Sequence, residues 1–158
     1  MAEIVHHSGV VDLVEVETRL KRAFVARYGL DPGLDVAADA LAWAWANQEQ
    51  VAAADNPTGL LYRVGQSRAR RYLRWKRRSS GSGYPPERDS ERSVWVEPGL
   101  EAALTDLDIE QRTAVVLVHC FQWTYQEVAD LLGVPLHTVR NRVHRGLDRL
   151  RVHLGAQR

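Results

Sequence analysis

The chain has 158 residues, is 45% hydrophobic and 26% charged, and carries a formal net charge of +1. That length holds one ordinary domain or two very small ones, and the composition is that of a folded soluble protein rather than a disordered or fibrous one. One Cys excludes an internal disulfide framework, the longest weighty apolar run (Ala114 to Val118) is too short to cross a bilayer, and the N-terminal stretch has no signal-peptide pattern, so a reducing, cytoplasmic setting is expected.

In chain order, Val11, Val14, Leu20, Phe24 and Val25 predict one amphipathic helix ending near Gly29. Leu-Asp-Pro-Gly at 30–33 reads as a turn. The Ala-rich stretch from Asp35 to Val51 has no Pro or Gly and predicts one helix. Trp43 and Trp45 within it point about 200° apart on a helix. Either that helix is sandwiched, or one Trp faces a partner. Asn-Pro-Thr-Gly at 56–59 breaks the pattern, and Leu60 to Arg78 reads as a further helix, apolar at Leu61, Val64, Tyr72 and Trp75 and basic elsewhere. No stretch alternates like a half-buried strand.

The near-neutral total hides segregated charge. Residues 1–62 carry nine acids and four bases. Residues 63–78 carry eight bases (Arg63, Arg68, Arg70, Arg71, Arg74, Lys76, Arg77, Arg78) and no acid. Residues 87–110 then carry eight acids and two bases, and residues 140–158 six Arg and one Asp. Two separated basic blocks on a neutral chain suggest two contacts with a polyanion; a solvated helix face is the bland alternative. Between the blocks, residues 79–93 are rich in Ser, Gly, Pro and charge without apolar periodicity, and read as a linker.

The second half opens with Leu-Thr-Asp-Leu at 104–107 and an apolar-periodic helix from Glu110 to Phe121. Thr124 with Glu127 three residues on is a capping box. Val128, Ala129 and Leu132 give the helix that follows its buried face. Gly133 stands where a left-handed residue is needed to end it, and Pro135 where the next helix begins. Leu136, Val139, Val143, Leu147 and Leu150 then recur at helical spacing. Ala129, Gly133 and Val139 have the spacing of a helix-turn-helix: a small residue for close approach, Gly for the turn, an apolar lock on the second helix. The other face of that second helix carries His137, Thr138, Arg140, Asn141, Arg142, His144 and Arg145. These are donors and cations suited to base edges and phosphates in a major groove.

The string from Tyr125 to Arg151 resembles region 4 of bacterial RNA polymerase sigma factors of the extracytoplasmic function group. The preceding Leu104 to Leu117 resembles the start of that region. Asp35 to Trp45 is similar to the region 2 helix that docks on the polymerase clamp, and Asn56 to Arg74 to the segment that captures the −10 element. The resemblance covers about residues 11–155. It implies an all-α chain of two small helical domains: 11–78 like region 2, a flexible acidic linker at 79–98, and 99–155 like region 4.

The resemblance implies a dissociable specificity subunit that directs core polymerase to promoters and starts transcription. Its partners would be the core polymerase clamp, promoter DNA and an anti-sigma factor, with no cofactor, metal, membrane insertion or small-molecule substrate. His137, Thr138, Arg140, Asn141, Arg142, His144 and Arg145 would serve the −35 element, with Arg142 and Arg149 assigned to phosphates or to the domain's own surface. Arg63, Ser67, Arg68, Arg70, Arg71, Arg74 and Trp75 would serve the −10 region. Asp35, Asp39, Trp43 and Trp45 would face the polymerase. Tyr62, Tyr72 and Trp75 are the aromatics available for base stacking, with the core as their other destination. Glu87, Asp89, Glu91 and Glu97 would either mimic RNA near the polymerase's RNA path or act as a soluble spacer. The sequence departs from the family where Ala38, Leu60, Ser67 and Arg71 stand in place of Gln, Trp, Asn and Asp.

Two rivals remain at this level. A stand-alone helix-turn-helix regulator explains residues 100–158 and leaves the Trp pair and the first basic helix unused. An enzyme has little support: His6, His7, His119, His137, His144 and His153 make no metal-ligand spacing, and His119 beside Cys120 reads as a core or boundary pair.

Overall fold

The computed structural model describes the backbone at residues 4–6, 9–11, 13–79 and 99–155, and the side chains of residues 14–70 and 99–155. The described chain is helical apart from one short hairpin, β1 (Ile4–His6) paired antiparallel with β2 (Gly9–Val11). That hairpin takes Val11 out of the helix to which its spacing assigned it. The interdomain stretch and its acids at 87, 89, 91 and 97 lie outside the described residues.

Helix α1 (Leu13–Tyr28) buries Val16, Leu20, Ala23, Phe24 and Ala26, while Val14 is 68% exposed. Helix α2 (Leu30–Ala46) follows after a single residue, Gly29, at φ 87°. The expected turn at 30–33 is therefore the first turn of a helix. Pro32 falls where the backbone N–H has no intrahelical acceptor, so its missing donor costs nothing, and Asp31 suits the positive end of the helix dipole. Gly33 lies against α1: a Cβ there would sit 2.6 Å from the Phe24 carbonyl oxygen. Only a glycine lets the two backbones come this close.

The single helix expected over 35–51 is two. Asn47 takes φ −132°, and its side-chain amide donates to the Trp43 carbonyl at 2.8 Å, replacing the helix's own donor. Helix α3 (Gln48–Ala52) restarts beyond it and buries Val51. Asn56 then caps helix α4 (Pro57–Ser79), its side-chain oxygen accepting from Gly59 N at 2.8 Å. Pro57 is the first helical residue, so the sequence's breaker is the helix's start. Helix α4 buries Leu61, Tyr62 and Ala69 against α1 and α2. Phe24 and Tyr62 stack with ring centroids 5.0 Å apart.

In the second half, helix α5 (Leu100–Thr105) leads to helix α6 (Ile109–Val115), capped by Asp108, whose Oδ1 accepts from Gln111 N at 2.9 Å. A π-helical turn (Val116–Cys120) ends it, with Trp123 N donating to the Leu117 carbonyl at 3.0 Å and Gln122 at φ 61°. Helix α7 (Tyr125–Leu132) opens on the capping box the sequence carries: Thr124 Oγ1 accepts from Glu127 N, and Glu127 Oε2 accepts from Thr124 N at 2.8 Å. Gly133 ends α7 at φ 64°, and helix α8 (Leu136–Gly155) buries Val139, Val143, Gly146 and Leu150.

The two halves pack face to face. Helix α1 lies against α6 and the π turn, and α4 against α7. Buried residues of both halves join in one apolar cluster, from Leu20 and Phe24 to Leu117, Trp123 and Val128. Ala103, Leu107, Val115 and Leu150 form a second, smaller one. Each half is near the lower limit for an independent core, and sharing apolar surface offsets that.

Gly33→Ala separates two effects of opposite sign. Helix propensity alone favours Ala by about 1 kcal/mol. The clash with Phe24 is expected to dominate and destabilise the fold by roughly 1–3 kcal/mol, read from urea unfolding. A rise in the urea midpoint would mean that α1 and α2 do not approach this closely.

Candidate nucleic-acid interface

The outward face of α8 is built by its apolar face. Val139 and Val143 are buried, so the residues between them turn to solvent. His137, Arg140, Asn141, His144 and Arg145 are exposed, and Thr138 is half-buried. Neither Arg140 nor Arg145 is ion-paired among the described residues. His144 Nε2 lies 3.2 Å from Asp148 Oδ2, which also takes Arg151 at 2.8 Å through its other oxygen. Arg142 stands apart from this group. It is half-buried and its Nη1 lies 3.1 Å from Glu110 Oε2, which turns it back onto α6.

On α4, Arg63, Ser67 and Arg70 are exposed at spacings of four and three, and so form one face. Arg68 is half-buried. The backbone carries Arg71, Arg74 and Trp75 on the same helix, but their side chains, with that of Tyr72, lie outside the described residues. Tyr62 is not an available stacking platform: it is 1% exposed, and burial pushes its hydroxyl up to about 12 against the pull of Arg27.

The outer face of α2 presents Asp35 and Asp39, both exposed. Of the two arrangements the spacing of the tryptophans left open, the structure shows the divided one. Trp43 packs against the core, and Trp45 is 61% exposed.

The seam between the halves uses residues that the charge count passed over. Arg19 donates to Glu127 Oε1 at 3.0 Å and lies over the Trp123 ring, 4.2 Å from its centroid. Arg22 lies 5.7 Å from the Phe121 centroid. Arg27 donates to Glu110 Oε1 at 2.9 Å, and Arg112 donates to the Arg27 carbonyl at 3.1 Å. Asn56 donates to the Asp130 carbonyl at 3.1 Å. Burial works against the Arg27 charge, but Tyr62 and Glu110 together raise its pKa above the ordinary arginine value. Glu127 is held below the usual carboxylate range, first by the Thr124 backbone N–H and then by Arg19. The seam rests on three arginines of α1, and their partners are over 80 residues away along the chain.

Residues 99–150 match the family described as sigma-70, region 4. The "ECF RNA polymerase sigma factor SigE" of Mycolicibacterium smegmatis is 49% identical over 55 residues, 35% of this chain and 21% of that protein. The chain thus matches about a fifth of that relative's length. A solved structure of the sigma factor RpoE in complex with the anti-sigma factor NepR, from Bartonella quintana, matches with a TM-score of 0.66 and 23% identity, over 93% of this chain and 96% of that one. At that identity the likeness shows the fold.

Two arginines two residues apart, and so on opposite faces of α8, should behave differently in this geometry. Arg140→Ala is expected to leave stability within about 0.5 kcal/mol, because its side chain is exposed. Arg142→Ala is expected to lower it by about 1 kcal/mol, because it leaves Glu110 with one cation in place of two. Thermal unfolding reads both. Glu127, whose pKa falls on folding, contributes stability above the unfolded carboxylate pKa and loses it as pH falls through the folded value. In Glu127→Gln the acid-side loss of stability should be smaller, as followed by unfolding midpoints across that pH range.

Proposed function

We propose that this chain, whose residues 99–150 match sigma-70 region 4, is a sigma factor of the extracytoplasmic function type that directs core RNA polymerase to promoters by holding two DNA elements at once. The observation that carries this is the exposed face of α8, with Arg140 and Arg145, not ion-paired among the described residues, beside Asn141, inside the segment that matches region 4. Arg binds guanine, and Asn adenine, through two hydrogen bonds in the major groove. Those residues read the −35 element; Arg142, tied to Glu110, steadies the helix that presents them.

Helix α4 serves the −10 element. Arg63, Ser67 and Arg70 line one face of it, and Arg71, Arg74 and Trp75 extend the same helix. Melting DNA requires an unstacked base, which costs a few kcal/mol. Cations along the backbone and aromatic stacking offset that cost. With Tyr62 in the core, stacking falls to residues beyond it on α4. Ser67 and Arg71 differ from the family pattern, so the bases preferred here differ too.

Asp35, Asp39 and Trp45 form the face for the polymerase clamp, with Trp45 as the aromatic anchor. Trp43 supports that face from the core side. The chemistry belongs to the polymerase; this chain supplies recognition and strand separation. No helix among the described residues is long and apolar enough to cross a membrane. A stand-alone regulator would leave the α2 face and the basic α4 without a task.

Run-off transcription with core polymerase on a genomic fragment library, with and without the protein, tests the reading. New discrete transcripts are expected only with the protein. Arg140→Ala and Arg145→Ala should each weaken upstream recognition by roughly 1–3 kcal/mol, with little effect on polymerase binding. Asp39→Lys should weaken polymerase binding in a pull-down. Tight duplex binding without polymerase, and no transcript with it, would favour the stand-alone regulator.

A further inference from the structure

We propose that Asp108 and Glu110 are specificity-determining residues: they neutralise one flank of α8, so that a duplex meets the base-reading face without phosphate-binding arginines beside it. The inference rests on the −35 reading above. Helix α8 carries five arginines, three histidines and one acid, Asp148. The cations are not treated alike. Arg140 and Arg145 have no ion pair among the described residues. Arg142 Nη1 lies 3.1 Å from Glu110 Oε2, Arg149 Nη1 3.8 Å from Asp108 Oδ2, and His153 Nδ1 3.2 Å from Asp106 Oδ2. Positions 142, 149 and 153 are seven and four apart, so they form one line along α8. The three acids stand at alternate positions where the chain enters α6, and they meet that line in reverse order.

The two acids nearest the base-reading end are anchored. Asp108 Oδ1 accepts from Gln111 N at 2.9 Å as the cap of α6, and its Oδ2 turns to Arg149. Glu110 takes Arg27 on Oε1 at 2.9 Å and turns Oε2 to Arg142. Each is fixed through one oxygen and faces α8 with the other. Stability alone does not account for the row. The side chains of Arg149 and Asp108 are 59% and 52% exposed, and pairs so open to solvent contribute little.

What the row changes is the charge that DNA meets. A helix roughly 10–12 Å across fills a major groove about 12 Å wide, so its flanks face the sugar–phosphate walls. A free arginine on that flank binds phosphate on any duplex, whatever its sequence. Arg140 and Asn141 discriminate only against that background, because specificity is a difference between two affinities. Pairing Arg142 and Arg149 within the domain lowers the background and leaves the base-reading side chains free.

The test measures binding of the full chain to a fluorescent random-sequence duplex over a salt series. In Asp108→Asn/Glu110→Gln, the fall of log affinity with log salt is expected to steepen by roughly 0.9 for each freed arginine. Binding at low salt should tighten several-fold. Adding Arg142→Ala/Arg149→Ala to that variant should return the slope to the wild-type value. An unchanged slope in the first variant overturns the proposal, and so does a steepening that survives loss of the two arginines, since lost negative charge alone would then explain it. Asn is as good a helix cap as Asp. If the double variant loses helicity by circular dichroism, Asp108→Asn with and without Arg149→Ala decides, with half the shift expected. Run-off transcription with core polymerase and excess random duplex is expected to fall further for Asp108→Asn/Glu110→Gln than for the wild type, and an equal fall overturns the role in specificity. If no chain yields a transcript while the slopes shift as expected, the sigma reading fails and the pairing of the flank stands.

Discussion

Glu110 sits where three requirements meet. Its two oxygens hold Arg27 and Arg142, cations from opposite halves of the chain. Arg27 is 11% exposed at its side chain, and a cation so enclosed has to be paired. Glu110 is itself placed by the start of α6, where Asp108 caps the helix and Thr113 bonds back to the Ile109 carbonyl. The first half cannot bury Arg27 without the second half's carboxylate, and the second half cannot fix Arg142 without it either.

That constraint explains why α1 carries two kinds of residue. Toward α2 and α4 it offers Leu20, Ala23 and Phe24, a conventional apolar stripe. Toward the second half it offers Arg19, Arg22 and Arg27, whose long stems cover apolar surface while their heads reach acids and rings. Beside these polar contacts lies the buried apolar cluster that the halves share. Arginine adds contacts whose strength depends on salt and on competing anions.

The helix-turn-helix was legible because each of its parts is local. Thr124 and Glu127 are three residues apart, Gly133 needs only its own φ, and the α8 stripe is periodic within one helix. The exposed Trp45 was half legible: the two-residue spacing left either a sandwiched helix or a divided pair, and packing decided for the divided pair and for which one faces solvent. What the sequence hid was either a competition or a distance. Asn47 interrupts a strongly helical stretch because its side chain takes the Trp43 carbonyl, which composition does not weigh. Leu30 to Gly33 looks like a turn, yet its Pro and Gly suit the first turn of a helix that crosses α1 closely. Tyr62 sits beside a basic block and is nevertheless core, stacked on Phe24. The seam arginines lie in a net acidic half, and their partners are far along the chain.

The packing of the halves leaves the outward face of α8 open to solvent. Val139 and Val143 turn inward, so His137, Arg140, Asn141 and Arg145 stay exposed while α7 rests on α4. The contact between the halves and the cationic face of α8 are therefore separate surfaces, and Glu110, between Arg27 and Arg142, is where they meet.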